Sequence, residues 1–459
     1  MCSAVCRSLL GLKTQMKNAL RYFAIVSLAS YTPAFGQVAP PPLDVHQEHL
    51  PTKTTDVPPM TLDAAIAEAL ANNPTLIALR SELDVVRQRP AQDRTLAPPT
   101  LEAMIWQWPL DTLNPLNTNM YMFTMRQDIP GSGKRALREA VTQKDVQRAT
   151  NDIAVRARDV IAQVKRAYSE LFVARQAVAV HEAGVDLSRQ IADLTTAQYV
   201  AGHGAQREAL TAVVEISKLH SDLIDLDEQA QLAAAQLNTL LNRDPAAPIG
   251  DVGALRIEAS LPPLEELQRR ALEHNGDLRG AQLDVERAEA TLAVAVREYK
   301  PDFMVGGGYQ LMPRSAGAWT ASIGLTWPGA PWSRAGLDAK KAEASAEVAA
   351  ARASEHAVRN AVRLAVQQAY VRAVSAFAHA SLIDTTIIPQ SQQVLAASRV
   401  AYQSGRGDLA SLVQQQHGLL EARLDYFRAL AAIEEARADL EYAVGDDPLP
   451  TSWVQLEGK

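Results

Sequence analysis

With 459 residues, only 5% aromatics and charges of both signs spread along its length, the chain has the composition of long helical segments rather than of several compact, aromatic-cored domains. Its formal net charge of −7 excludes an ordinary nucleic-acid binder, which needs a basic face. The nine histidines are scattered, with no H-x-x-x-H pair, no nucleophile–base grouping and no phosphate-cradling glycine loop, so nothing points to an enzyme, a resident metal or a cofactor.

Residues 1–36 read as an export signal peptide. Lys13, Lys17 and Arg21 form a basic start, Tyr22 to Ala29 a short apolar core, and Ala34 and Gly36 place small residues before a cut at Gln37. The apolar run is too short to span a bilayer as a helix, which takes about 20 residues. Cleavage would remove both cysteines, Cys2 and Cys6, leaving no thiol for a disulfide or a metal. Residues 37–60 carry six prolines and read as an extended arm, with the sequence His46-Gln47-Glu48-His49 as part of a solvated tail.

From residue 61 the chain repeats itself. Leu62, Ala69, Leu70, Asn73 and Leu76 recur as Leu264, Ala271, Leu272, Asn275 and Leu278, and Pro99 meets Pro301. The turn "YVAGHG" at 199–204 returns as "YQSGRG" at 402–407, one residue further out of step. The first repeat spans 61–250, with strands near 100–110 and 119–130 and a helical hairpin over 131–245. The second spans 251–448, with strands near 302–311 and 318–328 and a hairpin over 335–445, followed by a tail at 449–459.

Each hairpin is expected to hold a very long helix, a glycine turn and a returning helix. No proline occurs from Gly133 to Val200, a run that would reach about 100 Å at the α-helical rise. The returning helices carry heptads: Ala209, Ala212, Ile216, Leu219, Leu223, Leu226, Ala230, Ala233, Leu237 and Leu240 in the first. In the second they are Leu412, Gln415, Leu419, Ala422, Tyr426, Ala429, Ile433, Ala436, Leu440 and Ala443, with Gln415 the one polar member. This period predicts left-handed coiled packing.

The inserts between helices alternate with period two. Trp319, Ala321, Ile323, Leu325 and Trp327 share one face, against Thr320, Ser322, Gly324 and Thr326. Phe303, Val305, Tyr309 and Leu311 form a similar row, as do Tyr121, Phe123, Met125 and Ile129. The length and aromatic ends match outer-membrane strands. The segment 100–110 alternates less cleanly, and its lipid face is open at this level. Segments 111–118 and 313–317 read as outer-rim loops. Four strands cannot close a transmembrane barrel, and open edges in lipid cost several kcal/mol per unpaired group. Several chains must therefore pool their strands, and three would give twelve.

The sequences "TLDAAIAEALANNP" (61–74) and "QDIPGSGKRALREA" (127–140), with the paired Y-x-x-G turns, resemble the TolC family of outer-membrane efflux proteins over about residues 60–448. The "PGSGKR" element at 130–135 is similar to the heavy-metal efflux branch. The resemblance implies a mainly α fold with a small membrane β part, completed in a homotrimer as a twelve-stranded barrel in the outer membrane of a Gram-negative bacterium. A helical barrel would lie in the periplasm. It implies a passive exit duct that catalyses no chemistry, served by a periplasmic adaptor (membrane fusion protein) and an inner-membrane pump of the RND type.

Under that resemblance, Gly202, His203, Gly204, Gly405, Arg406 and Gly407 would form tips that dock the adaptor. Glu208, with Asp408 and Ser411 in the second repeat, would stand near a periplasmic constriction. Lys134, Arg135 and Arg138, just after the strand-to-helix junction, would meet lipid headgroups or a neighbouring copy. Metal cations are favoured over drugs as cargo. Met104, Met120, Met122 and Met125 would suit Cu(I), although methionine equally fills packed or lipid-facing surface, the reading favoured here. The competing function is a periplasmic coiled-coil scaffold or tether without a pore. It accounts for the heptads and the duplication but leaves the four strands unexplained.

Overall fold

The computed structural model describes residues 57–106, 118–202, 204–255, 261–313 and 315–445. The expected signal peptide, most of the proline-rich arm, most of the loop at 111–118, His203 and the tail at 449–459 lie outside the described residues.

Each repeat opens with two short helices: α1 (Leu62–Asn72) and α2 (Pro74–Val86) in the first, α6 (Leu264–His274) and α7 (Gly276–Arg297) in the second. The repeated asparagine explains the break between them. Asn73 Oδ1 accepts from the Thr75 N–H at 3.0 Å, and Asn275 Oδ1 from the Leu278 N–H at 2.9 Å. Each thereby satisfies one of the orphan donors at a helix start. Their amides reach the other way, Asn73 to the Leu240 carbonyl and Asn275 to the Ala443 carbonyl. One residue type thus starts a helix and ties it to the last turn of the returning helix.

A short α3 (Arg89–Arg94) leads to β1 (Thr100–Trp106) and β2 (Met120–Ile129), and then to α4 (Lys134–Val200) and α5 (Gln206–Leu240). The second repeat has β3 (Phe303–Leu311), β4 (Ala318–Leu325), α8 (Arg334–Leu382), α9 (Ile388–Gln403) and α10 (Leu409–Val444). The proline-free α4 is one helix of 67 residues. Its counterpart is not continuous, because a π turn at Ile383–Ile387 separates α8 from α9. Pro389 lies in the first turn of α9. It lacks an N–H and its ring crowds the preceding turn, so the wider turn replaces regular helix there. Val164, Ala167 and Tyr168 match Val366, Ala369 and Tyr370 in the same register as the repeat starts, whereas the glycine turns are one residue further apart. The π turn lies within that interval and takes up the added residue.

The heptad of α5 is buried or half-buried along its whole length. Ile216, Leu219, Leu223 and Leu226 pack with Ala177, Val180 and Val185 of α4 and with Leu420 and Leu424 of α10. Helix α10 differs from expectation. Its predicted seam is covered, and so is a second face with Leu409, Gln416, Leu420, Leu424 and Ala438, because α10 packs against both α4 and α8. Gln415, the polar member of the seam, is half-buried, while Gln416 beside it and Glu434 are buried. The Gln416 amide donates to the Gly184 carbonyl at 3.0 Å and to Ser188 Oγ. A Cβ on Gly184 would stand 2.8 Å from Leu420, so glycine sets this close approach.

The main core joins α1 to the middle of α4, through Ala65, Ala69, Val164, Tyr168 and Leu171, with Leu237, Ile249 and Ile433. The end of the expected free arm belongs to it. The Met60 N–H donates to the Asp251 carbonyl, its own carbonyl accepts from the Tyr168 hydroxyl at 2.9 Å, and its side chain is buried. Only Val57–Met60 of the arm is described, and it is a docked strap.

The four strands form one antiparallel sheet in the order β1-β2-β3-β4. Register assigns every side chain to a face, since directly paired residues point the same way. Leu101, Ala103 and Ile105 of β1 pair with Met125, Phe123 and Tyr121, which continue to Gly307, Tyr309 and Leu311 and then to Trp319 and Ala321. That is the apolar face, and it settles the orientation of β1. The opposite face carries Glu102, Thr124, Arg126, Gln310, Thr320 and Ser322.

Candidate functional site

The far ends of the hairpins are two alike turns. Gly202 and Gly405 sit at φ +79° and +70°, and a Cβ at either would touch nothing within 4 Å. Glycine is needed there for the left-handed backbone rather than for space. Gly204 and Gly407 close each turn by donating to the Gln198 and Ala401 carbonyls at 3.1 Å. Arg406 and the glycines around it in the second turn are exposed.

The two turns lie side by side. Gln198 Nε2 donates to the Tyr402 carbonyl at 3.4 Å, and the Tyr402 hydroxyl donates to Glu208 Oε2 at 3.1 Å. Burial, the hydrogen bond to Glu208 and the charge of that carboxylate push the Tyr402 hydroxyl up to about 12, so it remains a donor. Sequence reasoning named Tyr402 as a repeat landmark and missed this contact. Tyr402 is 3% exposed while Tyr199, its repeat partner, is 44% exposed.

Glu208, Asp408 and Ser411 do not form one cluster. Asp408 is the N-cap of α10 and accepts from the Ser411 N–H at 2.7 Å. Asp408 and Ser411, expected near a constriction, are thus joined to each other by a local cap. Their local capping bond engages the carboxylate, as Ser/Thr/Asp caps do at any helix start. Glu208 alone reaches across to the other hairpin. Further along, Glu215 of α5 is 7% exposed and its Oε1 lies 2.5 Å from His417 Nε2 of α10, with Lys218 on its other oxygen. This further polar tie between the hairpins is a non-local pairing with no periodic signal in the sequence.

At the opposite end, the strand-to-helix junction, Lys134 is 1% exposed. Its ammonium lies 2.9 Å from Asp302 and 3.4 Å from Glu298. Arg138 pairs with Glu298 at 2.9 Å, and Arg135 donates to the Arg94 carbonyl at 2.9 Å. The expectation that Lys134 meets headgroups or a neighbour is thereby corrected. A buried ammonium needs partners within its own fold, and the second repeat supplies them. Asp302 also accepts from the Gly131 N–H at 2.6 Å, and a Cβ at Gly131 would collide with the Pro301 carbonyl.

Among the described residues, no group of three or more His, Cys, Asp or Glu is placed to hold a metal ion. The arrangement offers surfaces rather than a reaction centre: two open sheet edges, one apolar sheet face, and a pair of exposed turns. A sheet that ends long helical hairpins in this way is the protomer architecture of outer-membrane channels. The sequence model for the family described as "Outer membrane efflux protein" matches residues 65–243 and 267–446. The chain belongs to this family.

The cobalt-zinc-cadmium resistance protein CzcC of Cupriavidus metallidurans is 24% identical over 394 residues, which cover 84% of this chain and 90% of CzcC. Among solved structures, the outer-membrane channel OprN superposes with a TM-score of 0.70 at 17% identity, covering 84% of this chain and 89% of its own. The outer membrane protein VceC of Vibrio cholerae gives 0.69 at 16% identity, with 84% and 96% covered. These two likenesses establish the fold: long helical hairpins joined to a small sheet.

Proposed function

We propose that three copies of this chain close a duct through the outer membrane, and that the duct passively passes substrates delivered by a periplasmic adaptor and an inner-membrane pump of the RND type. One observation carries the reading. The sheet has unpaired edges at β1 and β4 and an outward apolar face on which Leu101, Phe123, Trp319, Ile323 and Leu325 are all exposed. Water cannot be the natural neighbour of such a face, and lipid cannot be the neighbour of such edges. Pairing β4 of one copy with β1 of the next removes both problems at once and gives twelve strands.

The helices support the same closure. Leu210, Val213, Ile224 and Leu232 leave an apolar face open on α5, and Leu364, Val371, Val374 and Val394 do so on α8 and α9. These flanks would meet around the ring, with the glycine turns at the periplasmic end as the adaptor's docking surface. A scaffold without a pore would have no use for the apolar sheet face.

Metal cations are the proposed cargo. The "PGSGKR" element and the similarity to a protein named for cobalt, zinc and cadmium resistance both favour them over drugs. Mass measurement of the detergent-extracted protein tests the assembly: three copies are expected, and a monomer soluble without detergent would overturn the duct. Cells lacking the gene should become sensitive to a panel of metal salts. Unchanged resistance to metals, with lost resistance to hydrophobic drugs, would refute the cargo assignment.

A further inference from the structure

The methionines of the sheet fall mainly on one face, which departs from the lipid-facing filler role favoured on sequence grounds. Of the five within the four strands, Met125 alone lies on the apolar face. Met104, Met120, Met122 and Met304 lie on the polar face, with Glu102, Thr124, Arg126 and Gln310. A thioether that served only to fill lipid-facing surface belongs with Met125. On the polar face Met304 lies over Gly324 and Met120 is paired with Trp106, whereas Met104 and Met122 oppose each other without an aromatic or glycine partner.

Three of the four are neighbours. Met104 and Met122 are directly paired across β1 and β2, where opposed Cβ atoms stand about 5 Å apart. Met120 follows on the same face two residues along β2, about 7 Å away. Gln310 Nε2, across β3, lies 3.8 Å from Met122 Sδ. Each methionine has three rotatable bonds, so the sulfurs can turn toward a common point without moving the backbone. All three side chains remain partly or fully accessible.

From this geometry we infer that Met104, Met120 and Met122 form a binding site for a soft monovalent cation, Cu(I) or Ag(I), on the polar face near the outer end of the strands. Neutral thioethers bind soft d¹⁰ ions and discriminate against Zn(II), Co(II) and Ca(II), which prefer nitrogen or oxygen. The absence of thiolate or imidazole from the set keeps the hold modest, and the site adds a soft monovalent ion to the divalent cations that the likeness to CzcC favours. That the polar face lines a lumen rests on the closed-duct reading above. The three sulfurs belong to a single chain, so the site itself does not depend on assembly.

The test is a titration of the full-length, detergent-solubilised protein with Ag(I) in chloride-free buffer, followed calorimetrically. The wild type should bind Ag(I) with an affinity that falls about ten-fold or more in M104L/M122L, the scale expected when a metal site is disrupted. M125L, on the other face, should match the wild type, and Zn(II) should give no matching step. Equal Ag(I) binding in wild type and M104L/M122L would overturn the inference. Circular dichroism and mass measurement of the same samples report folding and assembly, so a failed site and a failed duct give different results. If the double variant misfolds, M122L alone carries the comparison.

Discussion

The Tyr402 hydroxyl, three residues before Gly405, donates to Glu208 Oε2 at 3.1 Å and so joins the ends of the two hairpins of one chain. Tyr402 packs among Ile191, Leu409 and Leu412, which leaves the hydroxyl no competing partner in the core. Replacing Tyr402 by phenylalanine keeps the packing and removes only this bond. A hydrogen bond to a charged group is worth about 1.5–3 kcal/mol, less here because Glu208 is only half-buried. We expect Y402F to retain assembly and to show higher conductance in planar bilayers than the wild type. Identical conductance would mean that this bond does not hold the end closed.

The same contact sets an alkaline limit. The Tyr402 hydroxyl is raised to about 12 from an ordinary value of 10.0. A raised group contributes its stabilisation fully below the unfolded value and loses it as pH climbs through the folded one. Between about pH 10 and 12, wild type should lose the difference that separates it from Y402F. Conductance measured across that window should converge for the two proteins.

Gly202 and Gly405 adopt a backbone that costs an L-residue roughly 1–2 kcal/mol. Valine at both positions, G202V/G405V, should distort the turns locally, far from the sheet. Site-specific crosslinking to the adaptor should fall while the mass of the assembly stays unchanged. Normal crosslinking with normal export would show that these turns are not the docking tips.

Asn275 is buried, caps α7 and holds the Ala443 carbonyl at 2.8 Å. Asn275→Ala removes a cap and leaves a carbonyl short of its donor, a loss of about 2–3 kcal/mol. Asn73→Ala should cost less, because its bond to Leu240 is longer at 3.4 Å. Thermal unfolding followed by circular dichroism should rank the two variants in that order.

Lys134→Met removes a buried ammonium that faces Asp302 and Glu298. Loss of one partner of a buried pair costs about 3–5 kcal/mol, reduced here because both carboxylates remain partly exposed. We expect a lower midpoint for heat dissociation and a lower yield of assembled protein. The double variant K134M/D302N should recover part of the loss, and no recovery would deny the pairing its role.

Where the physics is local, the sequence was legible. The hairpins, the glycine turns and the seam of α5 follow from proline spacing, the left-handed backbone that glycine accepts, and heptads, all of which act over a few residues. What stayed hidden depends on partners far along the chain. Lys134 meets Glu298 and Asp302 of the second repeat, and no pattern near residue 134 announces them. Helix α10 is buried on two sides, which erases the contrast between faces that a periodicity argument needs. Tyr199 and Tyr402 hold the same place in their turns yet are opposite in burial, because tertiary neighbours rather than sequence neighbours decide exposure. The orientation of β1 came only from its register with β2.

The π turn at Ile383–Ile387 has an architectural corollary. In an ordinary helix one surplus residue swings everything beyond it by about 100°. A wide turn absorbs the surplus like a shim, so the later helix keeps its rotational phase. The duplicated halves can thus differ in length and still finish flush. A one-residue deletion inside α4, which has no such turn, would by contrast rotate an entire seam out of its groove.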